Sequence, residues 1–255
     1  MLILITGASS GIGAALCRYY AKPGIILCLL SQQRASLENI GRVCSELGAQ
    51  VHLYSVSVSD SSGMSDVGKK ILQNVGLPDL IIANAGIRIE DPDNYVNSDA
   101  AHEVIAVNYI GVINTFVPFI EAMVQRRAGH LATISSISAL RATPKSGMYS
   151  ASKAAVNLWT EALRLRLAPH KIYVTTACSG FVRTAMTAEL PFYMPGILSP
   201  DQAARIIAKA IQSRRRLIVF PWQSRLIWGA FRLMPGAMYD EIILCAKKLW
   251  PNRRS

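Results

Sequence analysis

Leu2-Ile3-Leu4-Ile5-Thr6-Gly7-Ala8-Ser9-Ser10-Gly11-Ile12-Gly13 decides the fold. An unbroken apolar run reads as a strand buried on both faces, as in a parallel sheet. It enters a turn with three glycines, and a helical pattern follows over 13–21. The chain must swing from strand to helix at close quarters. Glycine permits positive φ and removes the Cβ that would keep a ligand off the backbone. The first turn of the helix then offers unpaired N–H groups and the positive end of its dipole to an anion. The stretch therefore reads as a dinucleotide cradle formed by Thr6, Gly7, Ser9, Ser10, Gly11, Ile12 and Gly13. An ordinary glycine turn is the competing reading, disfavoured by the position between strand and helix.

Outward from this cradle the same alternation repeats. Apolar runs at 2–6, 25–30, 51–54, 80–83, 130–135, 172–177 and 217–220 predict strands. Helical patterns at 13–21, 34–47, 61–74, 101–126, 150–167 and 201–213 fill the gaps. The expected fold is α/β: a single-domain, Rossmann-type, doubly wound parallel sheet of about seven strands with helices on both faces. With 255 residues, 51% of them hydrophobic, one core can absorb the chain. We expect residues 1–220 to carry nucleotide binding and catalysis, and 221–255 to form a basic, apolar extension packed on the same domain. Ligands in such sheets lie beyond the carboxyl ends of the strands, where each motif below falls.

Tyr149-Ser150-Ala151-Ser152-Lys153 puts a phenol and an ammonium on one helix face. A nearby cation favours phenolate, which suits a group that gives and takes a proton. Nine tyrosines and nine lysines make this spacing cheap by chance, so context must decide. Ser135-Ser136 ends the fifth expected strand, thirteen residues before Tyr149. A hydroxyl there can steady charge developing on a substrate oxygen. A helix cap is the plain alternative for such a serine, and Ser135 and Ser138 compete with Ser136.

The T-G-x-x-x-G-x-G turn, Asn84-Ala85-Gly86 past the fourth strand, Asn108 in a long helix, Ser136 and Y-x-x-x-K occur together in order. On these motifs residues 1–220 resemble the short-chain dehydrogenase/reductase family. The resemblance implies an oxidoreductase that moves a hydride between a nicotinamide and a ketone, aldehyde or alcohol. It makes Tyr149 the proton donor and Ser136 the group that orients the carbonyl. Lys153 would bind the nicotinamide ribose and lower the pKa of Tyr149, and Asn108 would support a water relay. Asn84, Ala85 and Gly86 would lie beside the adenine side of the cofactor. Gly180, Val182 and Thr184 match the loop after the sixth strand. Ser179 replaces the family's usual proline there, which frees a locked φ and predicts a less rigid loop. The resemblance also implies a homodimer or homotetramer paired through 101–126 and 150–167. An apolar stretch holding Met186, Leu190, Phe192, Tyr193 and Met194 stands where the family has a substrate lid, and points weakly to a hydrophobic substrate.

Cofactor choice is usually set after the second strand, where an acid binds a free ribose 2′-OH. Here stand Ser31, Gln32, Gln33 and Arg34, without the acid. The expectation is NADP(H) over NAD(H), with Arg34 either meeting a 2′-phosphate or lying on the helix surface. Ser10 and Ser57 occupy positions where the family often has a basic residue and an aspartate.

The net charge of +11 is uneven: residues 205–255 hold 11 basic and 2 acidic residues. Aromatic and aliphatic residues interleave with Arg225 and Arg232. The plainer reading covers the cleft or a subunit interface, with the basic residues solvated. The other lays the segment on an anionic membrane and admits lipid-like substrates. No recognition fold accompanies the charge, so nucleic acid is not an expected partner. Five scattered cysteines without a CxxC pair support neither a disulfide framework nor a metal site. No run of about 18 uncharged apolar residues is present. These features predict a cytoplasmic protein, peripheral at the inner membrane surface on the second reading. The competing functions are a non-enzymatic NADP-binding sensor or scaffold, and a sugar-nucleotide epimerase, which shares Y-x-x-x-K.

Overall fold

The computed structural model describes residues 1–92, 94–188 and 196–249, without the side chains of 227, 228 and 246–249. The strands are β1 Leu2–Thr6, β2 Ile26–Ser31, β3 Gln50–Ser55, β4 Leu80–Ala83, β5 Gly129–Ser136, β6 Ile172–Ser179 and β7 Leu217–Phe220. They form one parallel sheet in the order β3-β2-β1-β4-β5-β6-β7. The helices are α1 Gly11–Tyr20, α2 Arg34–Glu46, α3 Ser61–Asn74, α4 Ser98–Ile105, α5 Gly111–Arg126, α6 Gly147–Leu167, α7 Ala185–Ala188, α8 Pro200–Gln212, α9 Trp222–Leu233 and α10 Gly236–Leu249.

The expected doubly wound α/β sheet is what forms. Every residue of β1 is buried, because helices cover both faces of the sheet. On one face Ile3, Ile5, Leu27 and Leu29 pack with Leu16, Leu37 and Ile207 from α1, α2 and α8. On the other, Leu2, Leu4, Cys28 and Ile81 pack with Met64, Phe116, Phe119 and Val156 from α3, α5 and α6. Each such large side chain contributes roughly 1.5–3 kcal/mol by leaving water.

The run expected as one helix over 101–126 is divided. A π turn, Ala106–Ile110, joins α4 to α5 and contains Asn108. The whole helical run Ser98–Arg126 is long and apolar enough to cross a membrane by length and composition, contrary to the sequence expectation. Averaged hydropathy tolerates the few polar residues that broke the uncharged run. Its Val104, Val112, Phe116, Phe119 and Met123 are buried in the core.

His130, at the amino-terminal end of β5, pairs with the Thr175 hydroxyl at 2.8 Å. Burial, with the Arg214 guanidinium, pushes its imidazole from 6.5 down to about 4. The unfolded chain takes this proton near 6.5 and the folded chain only near 4. This contribution to stability is therefore complete above pH 6.5 and is lost as the pH falls toward 4. The interval is worth about 3 kcal/mol. We expect the unfolding temperature of the protein to drop between pH 7 and pH 4.5 by several degrees more than that of His130→Asn. Equal drops in scanning calorimetry would mean that other groups carry the acid sensitivity.

Candidate active site

β1 delivers Thr6 to the carboxyl edge of the sheet, where the cradle is built from backbone packed on backbone. Gly7 and Gly11 have left-handed φ values of 63° and 52°. A Cβ on Gly7 would lie 2.8 Å from Ala85 Cα, and one on Gly13 would strike the Gly7 carbonyl oxygen. The Thr6 hydroxyl accepts hydrogen bonds from the Asn84 and Ala85 amides at 3.1 and 3.3 Å. Asn84 Nδ2 in turn donates to the Thr6 and Gly7 carbonyls, both at 3.1 Å. N-A-G thus braces the turn from the neighbouring strand. Ser10 precedes α1 without a side-chain cap bond, which leaves its hydroxyl and the helix amides, including that of Ile12, for a ligand. A Cβ on Gly11 would lie 3.1 Å from the Thr184 methyl, so the loop after β6 closes over the cradle. A recess without Cβ atoms, lined by free N–H groups, fits the pyrophosphate of a dinucleotide.

At the far end of the cradle the Ser31 hydroxyl donates to the Ser9 hydroxyl at 2.8 Å. An open depression lined by Gln32, Val56, Ser57, Asp60 and Lys70 lies beyond β2 and β3. Arg34 does not face that depression as a free cation. Its guanidinium is paired with Glu38 at 2.8 Å and its side chain is 80% exposed. Spacing of i,i+4 on one helix is enough to explain this pair.

β5 ends on Ser136. Its hydroxyl accepts a hydrogen bond from the Ser138 amide at 3.1 Å and is near enough to the Tyr149 phenol to lower its pKa. The cap reading of this serine is borne out, and its hydroxyl remains in the surroundings of the phenol. Ser135 points instead toward the α6 backbone, donating to the Lys153 carbonyl at 3.4 Å. Tyr149 lies in the first turn of α6, and Lys153 follows one turn later with Nζ 5.8 Å from the phenol ring centre. Lys153 is buried, and Nζ donates to the Ile134 carbonyl at 3.0 Å. Burial pushes this ammonium down to about 8.

Tyr149 departs from the expected electrostatics. Burial raises its pKa above the ordinary value, while the Ser136 hydroxyl and the Arg88 guanidinium pull it down. Lys153 is not among these lowering groups; its Nζ approaches the ring and the Ile134 carbonyl. Arg88, two residues past Gly86 and ion-paired to Glu90 at 3.4 Å, was not anticipated from the sequence. Its place two residues after N-A-G was the available signal.

Asn108 is fully buried and heavily committed. Its Oδ1 accepts from the Ile87 amide at 2.8 Å, and Nδ2 donates to the Ile87 carbonyl at 2.9 Å and the Ser152 hydroxyl at 3.0 Å. Ser152 donates at 2.7 Å to the Tyr149 carbonyl, which links the Gly86 turn to the catalytic helix. One Oδ1 lone pair is what the Asn108 side chain has left for a relay. Gly86 sits against this group; a Cβ there would lie 3.1 Å from Asn108 Oδ1 and 3.3 Å from Lys153 Nζ.

The loop after β6 is more firmly held than its missing proline suggested. Ser179 donates to the Ser135 carbonyl at 3.3 Å and Gly180 N–H to the Phe220 carbonyl at 2.7 Å. Val182 is buried and bridges to Leu198. Met186 lies in α7, whereas Leu190, Phe192, Tyr193 and Met194 lie outside the described residues. Among the described residues, no cluster of three His, Cys, Asp or Glu side chains could hold a metal ion.

Comparison with known proteins agrees with this geometry. The family model described as short chain dehydrogenase matches residues 1–192. An uncharacterized oxidoreductase of Mycobacterium tuberculosis is 32% identical over 228 residues, covering 87% of this chain and 67% of that protein. A fatty acyl-CoA reductase of Acinetobacter baylyi is 30% identical over 219 residues, covering 84% of this chain and 74% of its own. The crystal structure of a 3-ketoacyl-ACP reductase from Sinorhizobium meliloti superposes with a TM-score of 0.81 at 26% identity, covering 89% of this chain and 100% of that one.

Proposed function

This chain belongs to the short chain dehydrogenase family, and from that premise we propose that it reduces a hydrophobic, lipid-like ketone or aldehyde with NADPH. As a member it is an oxidoreductase acting between CH–OH and C=O groups. The observation that carries the reductase reading is the nearness of Ser136, Tyr149 and Lys153 to one another beside the glycine cradle. When bound, the nicotinamide supplies the hydride that reduces the carbonyl carbon.

The chain's own groups do the rest. The Tyr149 phenol donates its proton to the carbonyl oxygen, and the Ser136 hydroxyl donates a hydrogen bond to the same oxygen. Lys153 holds the ribose hydroxyls and carries positive charge beside the phenol. Thr6, Gly7, Ser9, Ser10, Gly11, Ile12 and Gly13 cradle the pyrophosphate; Asn84, Ala85 and Gly86 brace it. Gly180, Val182 and Thr184 close the nicotinamide side. Asn108 acts as a positioning residue through Ile87 and Ser152.

The preference for NADPH rests on the missing acid after β2, where Ser31 and Gln32 stand. Arg34 and Lys70 are the cations at that end, and Arg34 must leave Glu38 to meet a phosphate. The lipid-like substrate is supported by the relative that reduces fatty acyl-CoA. Val117, Leu158 and Leu165 lie exposed on the outer faces of α5 and α6, which supports pairing of subunits through those helices. The cytoplasm is the proposed compartment.

A panel of ketones and aldehydes from short to long chain, read by NADPH absorbance loss, tests the reading. We expect kcat/KM to rise with chain length and to favour NADPH over NADH by about tenfold. Equal values for the two cofactors would remove the NADPH preference, and flat chain-length dependence the lipid-like substrate.

A further inference from the structure

Ser136 ends β5 and Tyr149 lies in the first turn of α6, so the loop 137–146 that joins them borders the space between their hydroxyls. Both ends of this loop are held by near neighbours. The Leu140 amide donates to the Ile137 carbonyl at 3.2 Å. At the other end the Ser146 amide donates to the Thr143 carbonyl at 2.9 Å, and the Asp91 carboxylate accepts from the Met148 amide at 3.3 Å. The middle of the loop is gripped by the far end of the chain. Arg141 Nε and Nη2 donate to the Phe231 and Met234 carbonyls at 3.3 and 2.7 Å. The Tyr239 hydroxyl donates to the Ala142 carbonyl at 2.8 Å. The Arg141 guanidinium lies 5.1 Å from the Tyr239 ring centre, and Phe231 meets that ring edge to face at 5.3 Å.

Each contact has a local cause. The amide one turn past Phe231 belongs to Pro235, which has no N–H, so the Phe231 carbonyl is left without its helical donor. Met234 is the extended C-cap of α9, beyond the helical ladder. A cation at this helix end satisfies both carbonyls and the negative end of the dipole, and the planar fork of arginine reaches two acceptors at once. Tyr239 is buried near the start of α10, and a buried phenol needs a partner for its O–H. The opposite end of α9 is fixed as well. Ser224 is buried against Gly180, where a Cβ would strike its hydroxyl. Gly180 follows Ser179, which pairs in register with Ser136. α9 therefore spans from the loop after β6 to the loop after β5, and α10 adds a second hold on the latter.

We propose that Arg141 and Tyr239 are positioning residues of the carbonyl site. Through them α9 and α10 hold the loop 137–146 as a fixed wall and set the affinity for the carbonyl substrate rather than for the cofactor. The substrate half of this inference rests on the proposed carbonyl reduction. A wall released from the latch must be ordered by the substrate as it binds, and that cost appears in KM. The chemical step is spared, because the bonds of Lys153 to the Ile134 carbonyl and of Ser136 to the Ser138 amide do not pass through the latch.

The test uses the full chain carrying Arg141→Met or Tyr239→Phe. The first keeps an unbranched stem and removes the N–H donors; the second removes one hydroxyl and keeps the ring against Phe231. For the best carbonyl of the panel each variant should raise KM at least about fivefold, with kcat within about threefold and the NADPH Kd within about twofold of the parent. Hydrogen exchange of amides 138–146 should quicken at least about tenfold, and that of 7–13 should stay parental. The inference is overturned if either variant keeps KM within about twofold of the parent, or if loop exchange is unchanged. It is equally overturned if KM and the NADPH Kd rise together, which would make the contacts a support of the whole fold. Quickened loop exchange in the variants of a parent that reduces no carbonyl would sink the reductase reading and leave the latch on the loop standing.

Discussion

Tyr149→Phe is expected to lower turnover about 10³-fold while the affinity for NADPH stays within about twofold. The substitution removes one oxygen and leaves the ring in the first turn of α6. What disappears is the O–H whose pKa burial raises and its neighbours Ser136 and Arg88 pull back down. Without it the reduced carbonyl must take its proton from water, in a site where burial disfavours charge. Lys153 keeps its bond to the Ile134 carbonyl, so the position proposed for the ribose is undisturbed. Stopped-flow single turnover and fluorescence titration of NADPH separate the two effects. Turnover within about tenfold of the parent would remove Tyr149 from the proton-donor role. NADPH binding with no turnover in the parent, across the whole carbonyl panel, would favour the sensor or scaffold reading.

The second large effect is expected at Gly13. A methyl group there meets the Gly7 carbonyl oxygen, and backbone cannot swing aside as a side-chain tip can. Moving that carbonyl breaks its 3.1 Å hydrogen bond from Asn84 and opens the brace between β1 and β4. Gly13→Ala should therefore weaken NADPH binding at least about 100-fold and destabilise the fold by about 1–3 kcal/mol. Gly229→Ala is the matched control, because a Cβ there meets nothing within 4 Å. Calorimetric titration and chemical denaturation of both variants decide the matter. Near-parental binding by Gly13→Ala would mean that the cradle is looser than its contacts imply.

Much of the site was legible because its signals are local. Gly7, Gly11 and Gly13 answer to φ and Cβ restrictions that a few residues define, and Tyr149 and Lys153 to the pitch of one helix. The alternation of apolar runs predicted all seven strands, because the central ones are buried on both faces and even the half-buried edge strands β3 and β7 keep apolar residues. Less legible were residues whose meaning depends on who arrives from another strand. Arg34 is not one of these, because Glu38 holds it from one turn on in the same helix, a spacing the sequence already offered. Asn108 gave no sign in the sequence that Ile87 and Ser152 would occupy most of its polar capacity. Ser179 looked like a loosened loop until the Ser135 carbonyl was found bonded to it.

Periodicity, glycine spacing and charge distribution in the chain determined a doubly wound sheet, a nucleotide cradle after β1 and a basic carboxyl-terminal fifth. Each follows from forces acting over a turn of helix or a few residues of strand. Only the tertiary structure decided that Ser136 and Arg88 share the phenol's surroundings, and that Trp222, Leu226 and Leu233 face outward. Those facts depend on the order in which the strands pair, because parallel pairing gathers residues dozens to more than a hundred positions apart at one edge of the sheet.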